Sequence, residues 1–245
     1  MSMRNAGRAL LGVLVVTVPA TFGAAFEQGQ WTAGLIFALD AGAQPDPAAM
    51  ASGYAEEAQQ NAALMRQYSW KMRVEVTVKD ETKPPKIYQM RFDMDGKPQK
   101  TLLTAEEKQK KKRGVRGRVQ KKKMTAMKEW AAELADVVKT YTTPTPGTML
   151  DFYAKAKMTP EADGTVKVAG TGFLQPADTA TFWIDQQTKG VRRFTFTTTL
   201  DGDPVMGEVQ YASVQDGPRY AAQTLIDVPA KKVRARVESF DYVKQ

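Results

Sequence analysis

The chain has 245 residues, of which 42% are hydrophobic and 25% charged, a composition typical of a globular domain with one sizeable core. It contains neither cysteine nor histidine, which excludes disulfides, thiolate nucleophiles, Cys/His zinc sites and a Ser-His-Asp triad. The net charge of +8 comes from one segment: ten cations and no carboxylate lie between Lys108 and Lys123, so the remainder of the chain carries −2.

Residues 1–43 are interpreted as a signal peptide. Two arginines precede the apolar run Ala9–Val18, which is too short to span a membrane. A small-x-small cleavage motif follows at Ala41-Gly42-Ala43, and cleavage after Ala25 is the alternative. An uncleaved membrane anchor is the competing interpretation. We expect cleavage, and therefore a soluble periplasmic or secreted bacterial protein with a single domain at residues 44–245.

The first part of that domain predicts a helix followed by a hairpin. A stretch rich in Ala, Glu, Gln and Leu predicts a helix over Ala48–Tyr68, with an Asp-Pro pair ahead of it to cap it. Strict alternation of apolar and polar residues then predicts strands at Trp70–Val78 and Ile87–Met94. Asp95-Gly96 predicts a tight turn into a partner strand at Gln99–Leu103.

The middle of the chain predicts helices and the last third predicts strands. A Thr104-x-x-Glu107 capping box indicates a helix that enters the basic tract, and apolar residues at three- and four-residue steps predict another at Lys122–Tyr141. Thr145-Pro146 begins a short third helix through Tyr153. Strands separated by short turns are predicted at Thr165–Ala169, Gly172–Leu174, Thr179–Asp185, Gly190–Leu200, Val205–Val214, Tyr220–Val228 and Lys232–Tyr242. The fold class is therefore α+β, with an antiparallel sheet of about nine or ten strands.

This order of elements resembles the LolA/LolB-like family, the outer-membrane lipoprotein-sorting proteins of Gram-negative bacteria. The residues that carry the resemblance are Tyr68-Ser69-Trp70, at the start of the first strand, and the segment Phe182–Phe194 with its aromatic strand, Asp-led turn and returning basic strand. The resemblance implies a curved, incomplete antiparallel barrel whose concave face is covered by helices. It also implies that acyl chains bind between sheet and helices. The basic insert at 108–123 is a departure from the family pattern.

The apolar faces of the predicted strands are the candidate ligand site. Flexible, polarisable methionine side chains suit varied apolar ligands, but the same stripes would also form an ordinary sheet–helix core, and the sequence leaves both interpretations open. The candidates are Trp70, Met72, Val74, Tyr88, Met90, Phe92, Met94, Phe182, Ile184, Phe194 and Phe196.

The basic tract is the second candidate site. It could attract an anionic membrane surface or partner, or it could be a solvated loop. Nucleic acid is disfavoured because the tract has no aromatic residue on which bases could stack. The candidate contact residues are Lys110, Lys111, Lys112, Arg113, Arg116, Arg118, Lys121, Lys122 and Lys123.

Nothing in the sequence predicts catalysis. No pair of carboxylates stands out, most aspartates fall in predicted turns, and Gly170-Thr171-Gly172 is too weak a signal for a phosphate loop. We therefore expect no enzyme, cofactor or metal, but a monomeric carrier of a lipid or lipidated protein, with a role in lipoprotein sorting or transport. The alternative is an envelope-stress sensor or interaction module that contacts anionic partners through its basic segment.

Overall fold

The computed structural model describes residues 46–104 and 115–245. Within them the chain forms three α-helices, one short 3-10 helix and eleven strands. The helices are α1 (Pro47–Met65), α2 (Val115–Thr142) and α3 (Pro146–Tyr153), with the 3-10 turn at Pro229–Lys231. The strands are β1 (Tyr68–Val78), β2 (Glu81–Thr82), β3 (Lys86–Phe92), β4 (Pro98–Leu102), β5 (Lys157–Pro160), β6 (Thr165–Thr171), β7 (Thr179–Asp185), β8 (Val191–Leu200), β9 (Asp203–Ser213), β10 (Arg219–Val228) and β11 (Val233–Lys244).

The strands form one antiparallel sheet that does not close. Its order is β4-β3-β1-β11-β10-β9-β8-β7-β6-β5, with β2 paired only to β1. Most neighbours are consecutive hairpins, and β11 returns to pair with β1 along almost its whole length. This pairing joins the early hairpin to the later meander in a single sheet. The α+β class and the open antiparallel sheet predicted from the sequence are thus confirmed.

The sheet must be strongly curved. Strands β3 and β7 are separated by five others, which would place them about 29 Å apart in a flat sheet. Nevertheless Met90 of β3 and Phe182 of β7 border the same cavity. Irregular pairings between β1 and β11, β9 and β10, and β7 and β8 supply bending, since a bulge kinks its strand and increases the local twist.

The core lies between the concave face and the helices, in two halves. Helix α1 lies on α3, while α2 packs against β8. Under α2 and α3 the rings of Tyr141, Phe152, Phe173, Phe182, Phe194 and Phe196 form a continuous aromatic cluster with centroid separations of 4.3–6.0 Å. Such ring pairs are well packed and directional, so this half of the interior is filled.

Local signals predicted most helix starts correctly. The carboxylate of Asp46 accepts the amide of Ala48 at 3.0 Å, and Thr145 accepts the amide of Thr148 at 3.1 Å. Both are the expected N-caps. Helix α2 begins earlier than the predicted Lys122, because it continues through Gly117.

One predicted strand is wrong and two short ones were missed. Gly172–Leu174 forms a loop, because the carboxylate of Asp178 accepts the amides of Phe173, Leu174 and Gln175 at 2.6–2.9 Å and bends the backbone around itself. The missed strands, β2 and β5, are too short to show a period.

Two sequence interpretations lie outside the described residues. These are the signal peptide and the segment 105–114, which includes Glu107 of the predicted capping box. Among the helices that are described, none combines the length and the apolar character needed to cross a membrane.

Candidate functional site

A cavity of about 70 Å³ lies over the centre of the concave face, beneath α1 and the end of α2. Helix α1 forms its roof, and strands from both halves of the sheet form its floor and walls. The lining residues are Tyr54, Glu57, Asn61, Met65, Trp70, Met72, Met90, Tyr141, Thr142, Pro144, Phe182, Val191, Phe194, Tyr211, Arg219, Tyr220, Ala221, Thr224, Val237, Ser239 and Tyr242. The lining is thus a mixture of aromatic and flexible apolar side chains with a few polar groups.

Ten of the eleven apolar candidates are buried. Five of them border the cavity: Trp70, Met72, Met90, Phe182 and Phe194. The other five, Val74, Tyr88, Phe92, Ile184 and Phe196, belong to the surrounding hydrophobic core. The stripes thus form an ordinary sheet–helix core, and five of their residues also border a cavity within it.

Met94 is wrong as a member of the stripe. Strand β3 ends at Phe92, and the chain turns there because Asp93 accepts the amide of Lys97 through its side chain, at 2.8 Å, and the amide of Gly96 through its carbonyl, at 3.0 Å. Met94 lies on this turn and is fully exposed. The alternation in the sequence continued for one step beyond the strand itself.

The polar residues of the cavity are not among the candidates predicted from the sequence. Glu57 and Asn61 lie one turn apart on α1, on the side that also presents Tyr54 to the sheet. Tyr211 and Arg219 come from β9 and β10. The i, i+4 spacing of Glu57 and Asn61 on an otherwise Ala-rich face was the available signal.

Asn61 and Arg219 attach α1 to the sheet. The side chain of Asn61 donates to the Arg219 carbonyl at 2.8 Å and accepts from the Arg219 amide at 2.6 Å. The guanidinium of Arg219 lies 3.6 Å from the carboxylate of Glu57. A polar clasp, defined here as Glu57, Asn61 and Arg219, therefore closes one side of the roof.

Aromatic rings form another part of the cavity wall. Trp70 of β1 stacks on Tyr242 of β11 with centroids 5.6 Å apart, and Tyr242 contacts Tyr220 of β10 at 4.0 Å. Burial raises the pKa of Tyr242 and that of Tyr211 above the usual tyrosine value, so both hydroxyls stay neutral. This wall offers apolar ring faces together with neutral hydroxyl groups.

Burial also raises the pKa of Glu57 above its ordinary value, and nearby Arg219 offsets only part of that shift. The folded state therefore binds the proton more tightly than the unfolded state. The resulting stability is present at low pH and is lost as the pH rises from about 4.3, the ordinary glutamate value, through the folded pKa.

We therefore expect the difference in unfolding free energy between the wild type and Glu57→Gln to shift in favour of the variant between pH 4 and pH 7. Urea unfolding at a series of pH values measures it. Asp163→Asn is the control of opposite sign, because hydrogen bonds from the Thr165 side chain and amide lower the pKa of Asp163. For Asp163 the unfolding free energy of the wild type relative to that of Asp163→Asn should therefore increase as the pH rises towards 4. If the difference in unfolding free energy between the wild type and Glu57→Gln did not change with pH, the raised pKa of Glu57 would be contradicted.

The two helical covers differ in how firmly apolar contacts hold them. The buried side chains of α1 are Ala51, Tyr54, Ala58, Ala62 and Met65. Those of α2 include Trp130, Leu134, Val138 and Tyr141. Because the hydrophobic contribution scales with buried apolar area, the apolar contacts of α1 contribute less per buried side chain than those of α2.

The basic candidates fall in two places. Lys110, Lys111, Lys112 and Arg113 lie outside the described residues. Arg116, Arg118, Lys121, Lys122 and Lys123 lie in the first turns of α2, where Lys122 is exposed. Lys122, the basic candidate whose side chain the structure describes, does not border the cavity. Among the described residues, no group of three or more carboxylates could hold a metal ion.

The comparisons with known proteins return only distant structural likenesses. No protein-family profile and no curated protein matches the sequence. A LolA-superfamily protein from Nitrosomonas europaea is 8% identical, with 76% of this chain and 91% of that chain covered and a TM-score of 0.35. A DUF1329-family protein from Desulfovibrio piger is 7% identical, with coverages of 82% and 94% and a TM-score of 0.39.

A third solved structure is a domain from Vibrio parahaemolyticus assigned to outer-membrane lipoprotein sorting. It is 11% identical, with 80% of this chain and 93% of that chain covered and a TM-score of 0.40. The chain is thus similar to LolA-like structures, which is the resemblance that its sequence pattern indicated. At these identities and TM-scores the likeness carries no argument about function, which depends on the site itself.

Proposed function

We propose that this protein is an exported, non-enzymatic carrier that holds the acyl chain of a lipid or lipidated protein between α1 and the concave face of its sheet. The observation that carries the proposal is the position of the cavity: it lies where the curved sheet separates from α1, and Met65, Met72 and Met90 line it. Methionine side chains adapt to varied apolar shapes because they have several low-energy rotamers and a polarisable sulfur.

The size of the cavity implies that loading requires movement. Ligand pockets usually measure about 300–1,000 Å³, whereas this cavity measures about 70 Å³. A long acyl chain therefore enters only if α1 moves away from the sheet. The small apolar face of α1 keeps the cost of that movement low, and the aromatic cluster under α2 and α3 keeps the rest of the sheet in place.

The signal-like amino terminus supports the cellular setting of the proposal. A hydrophobic segment of signal-peptide length precedes the described fold. In the periplasm an acyl chain that leaves one membrane has to cross water, and a protein with an apolar interior would shield it during that step.

Binding of N-phenyl-1-naphthylamine, a neutral apolar probe whose fluorescence rises in apolar surroundings, tests the proposal on the full chain. We expect saturable binding of one probe per chain and displacement by 1-dodecanol. Ala221→Leu, at the cavity wall, should weaken both by roughly tenfold or more, because the extra carbons occupy the ligand's space.

Ala230→Leu is the matched control, because Ala230 is exposed on the 3-10 turn beyond the end of β10. It should bind the probe like the wild type. A wild-type protein that binds neither probe nor dodecanol would contradict the carrier. Equal binding by the Ala221 and Ala230 variants would place the ligand elsewhere.

A further inference from the structure

One cation borders the apolar cavity. Among the described lining residues only Glu57 and Arg219 are charged. The Arg219 side chain is 16% exposed and the Glu57 side chain 27%, so both are largely withdrawn from water. A buried guanidinium is costly unless its donors find acceptors. Its present partners therefore decide whether Arg219 can receive a ligand.

The acceptors around the Arg219 guanidinium lie at long distances. Nη2 donates to Thr188 Oγ1 at 3.2 Å, Nη1 donates to the Val191 carbonyl at 3.5 Å, and the nearest oxygen of Glu57 is 3.6 Å from Nη1. A good charge-assisted N–H···O⁻ bond measures about 2.7–2.9 Å. The pair with Glu57 is therefore a loose ion pair, and a better-placed anion can compete with it.

The fold also leaves space for this guanidinium. A Cβ atom built on Gly190 would lie 1.2 Å from Nη1 of Arg219 and 1.7 Å from its Cζ. Gly190 lies immediately before β8, and because it has no side chain the guanidinium can lie beside the cavity. Gly190 thus provides a way to displace the cation without removing its charge.

We propose that the carrier selects amphiphiles with an anionic head group, a carboxylate or a phosphate ester, which binds the Arg219 guanidinium while the alkyl chain occupies the cavity. This inference rests on the proposed function, because the head group is recognised only if the chain enters beneath α1. The planar guanidinium suits this role, since it can donate two parallel hydrogen bonds to either kind of oxyanion.

When an anionic head group replaces Glu57 at Arg219, its recognition is coupled to the movement of α1 away from the sheet. Glu57 belongs to α1 and Arg219 to β10, so the ion pair between them is part of the clasp that holds the roof down. A head group that takes the place of Glu57 at Arg219 leaves Asn61 as the remaining member of the clasp bound to β10. Burial raises the pKa of Glu57, so a proton can take the place of Arg219 when the ion pair breaks. An anionic ligand thereby loosens α1 as it binds.

Displacement of N-phenyl-1-naphthylamine by three compounds with the same alkyl chain tests the inference: dodecanoate, dodecyl phosphate and 1-dodecanol. In the wild type we expect the anions to displace the probe at concentrations roughly ten- to a hundredfold lower than dodecanol. Arg219→Gln should remove this preference, so that the two anions and dodecanol displace the probe at similar concentrations. Glu57→Gln should strengthen anion binding severalfold, because it removes the competing carboxylate.

Two further variants separate contact from net charge. Gly190→Ala keeps the charge but displaces the guanidinium, whose flexible end can move without disturbing the backbone, and it should also remove the preference. Arg234→Gln makes the same charge change as Arg219→Gln at a residue whose side chain is 70% exposed and lies outside the cavity lining, and it should retain the preference. Tighter binding of dodecyl phosphate than of dodecanoate would identify a phospholipid source, and the reverse would identify a free fatty acid.

The outcomes also distinguish this inference from the function on which it rests. If dodecanol binds the wild type but the anions bind no better, the carrier stands and the selectivity is overturned. The selectivity is likewise overturned if Arg219→Gln and Gly190→Ala both keep the preference. If neither the probe nor any of the three compounds binds, the carrier and its selectivity are both overturned.

Discussion

Replacing Asp178 by alanine is expected to lower the free energy of unfolding by about 3–5 kcal/mol. Asp178 is 2% exposed and accepts the amides of Phe173, Leu174 and Gln175 as well as the hydroxyl of Tyr141. Alanine would leave these donors buried without their acceptor, and unsatisfied buried donors are costly. The loop would lose its turn, and Phe173 would lose its place among the rings.

Chemical denaturation monitored by tyrosine and tryptophan fluorescence measures this loss. Asp163→Ala is the matched control, because Asp163 accepts two hydrogen bonds from Thr165 at an exposed turn. Asp163 is itself exposed and fewer donors lose their acceptor there, so the loss should be smaller. If the two variants were equally stable, the buried carboxylate would not organise the loop as described.

Replacing Gly207 by alanine is the second large effect, an expected loss of about 1–3 kcal/mol. Gly207 of β9 pairs with Phe196 of β8, and a Cβ at this position would lie 2.1 Å from the Phe196 ring. That ring cannot simply move aside, because it stacks on Tyr141 at 4.6 Å and on Phe194 at 5.5 Å. The substitution therefore disturbs the filled half of the core.

Gly53→Ala provides the control with the opposite sign. Gly53 lies inside α1, and its nearest neighbour for a new Cβ is the Lys189 side chain at 3.9 Å, an ordinary contact. Alanine should raise the free energy of unfolding there by about 0.5–1 kcal/mol, because glycine is a poor helix former. Thermal unfolding of both variants should give shifts of opposite direction, and a destabilised Gly53→Ala would contradict the packing described for α1.

These expected effects differ because the two halves of the sheet are covered in different ways. The half beneath α2 and α3 is filled by stacked rings and a buried hydrogen-bonded loop. The half beneath α1 is closed by small side chains, by Tyr54 and Met65, and by a polar clasp. Substitutions in the first half should reduce stability, whereas substitutions at Ala221, Gly190 or Arg219 should mainly alter ligand binding.

The sequence by itself determined the local structure. Alternation predicted β1 and β3 because a strand with one buried face needs apolar side chains at every second residue. The N-caps at Asp46 and Thr145 are encoded within three residues of where they act. The turn between β8 and β9 lies at Asp201-Gly202, a dipeptide typical of tight hairpin turns, and both residues adopt left-handed φ values of 54° and 80°.

The sequence also predicted the burial of ten of the eleven apolar candidates, but not whether they fill space or enclose it. Phe182 and Phe196 carry the same pattern, yet Phe182 borders the cavity and Phe196 does not. The difference depends on the curvature of the sheet and on which helix covers each strand. Neither feature can be predicted from the alternation of apolar and polar residues within a single segment.

Only the tertiary structure brought the polar clasp together. Asn61 and Arg219 are 158 positions apart, and their hydrogen bonds form only because β10 lies in the centre of the sheet beneath α1. Glu57 and Arg219 look like ordinary surface charges in the sequence, because nothing local shows that the water around them is removed. Short-range patterns fix secondary structure through backbone geometry, whereas a site made of distant residues depends on the whole topology.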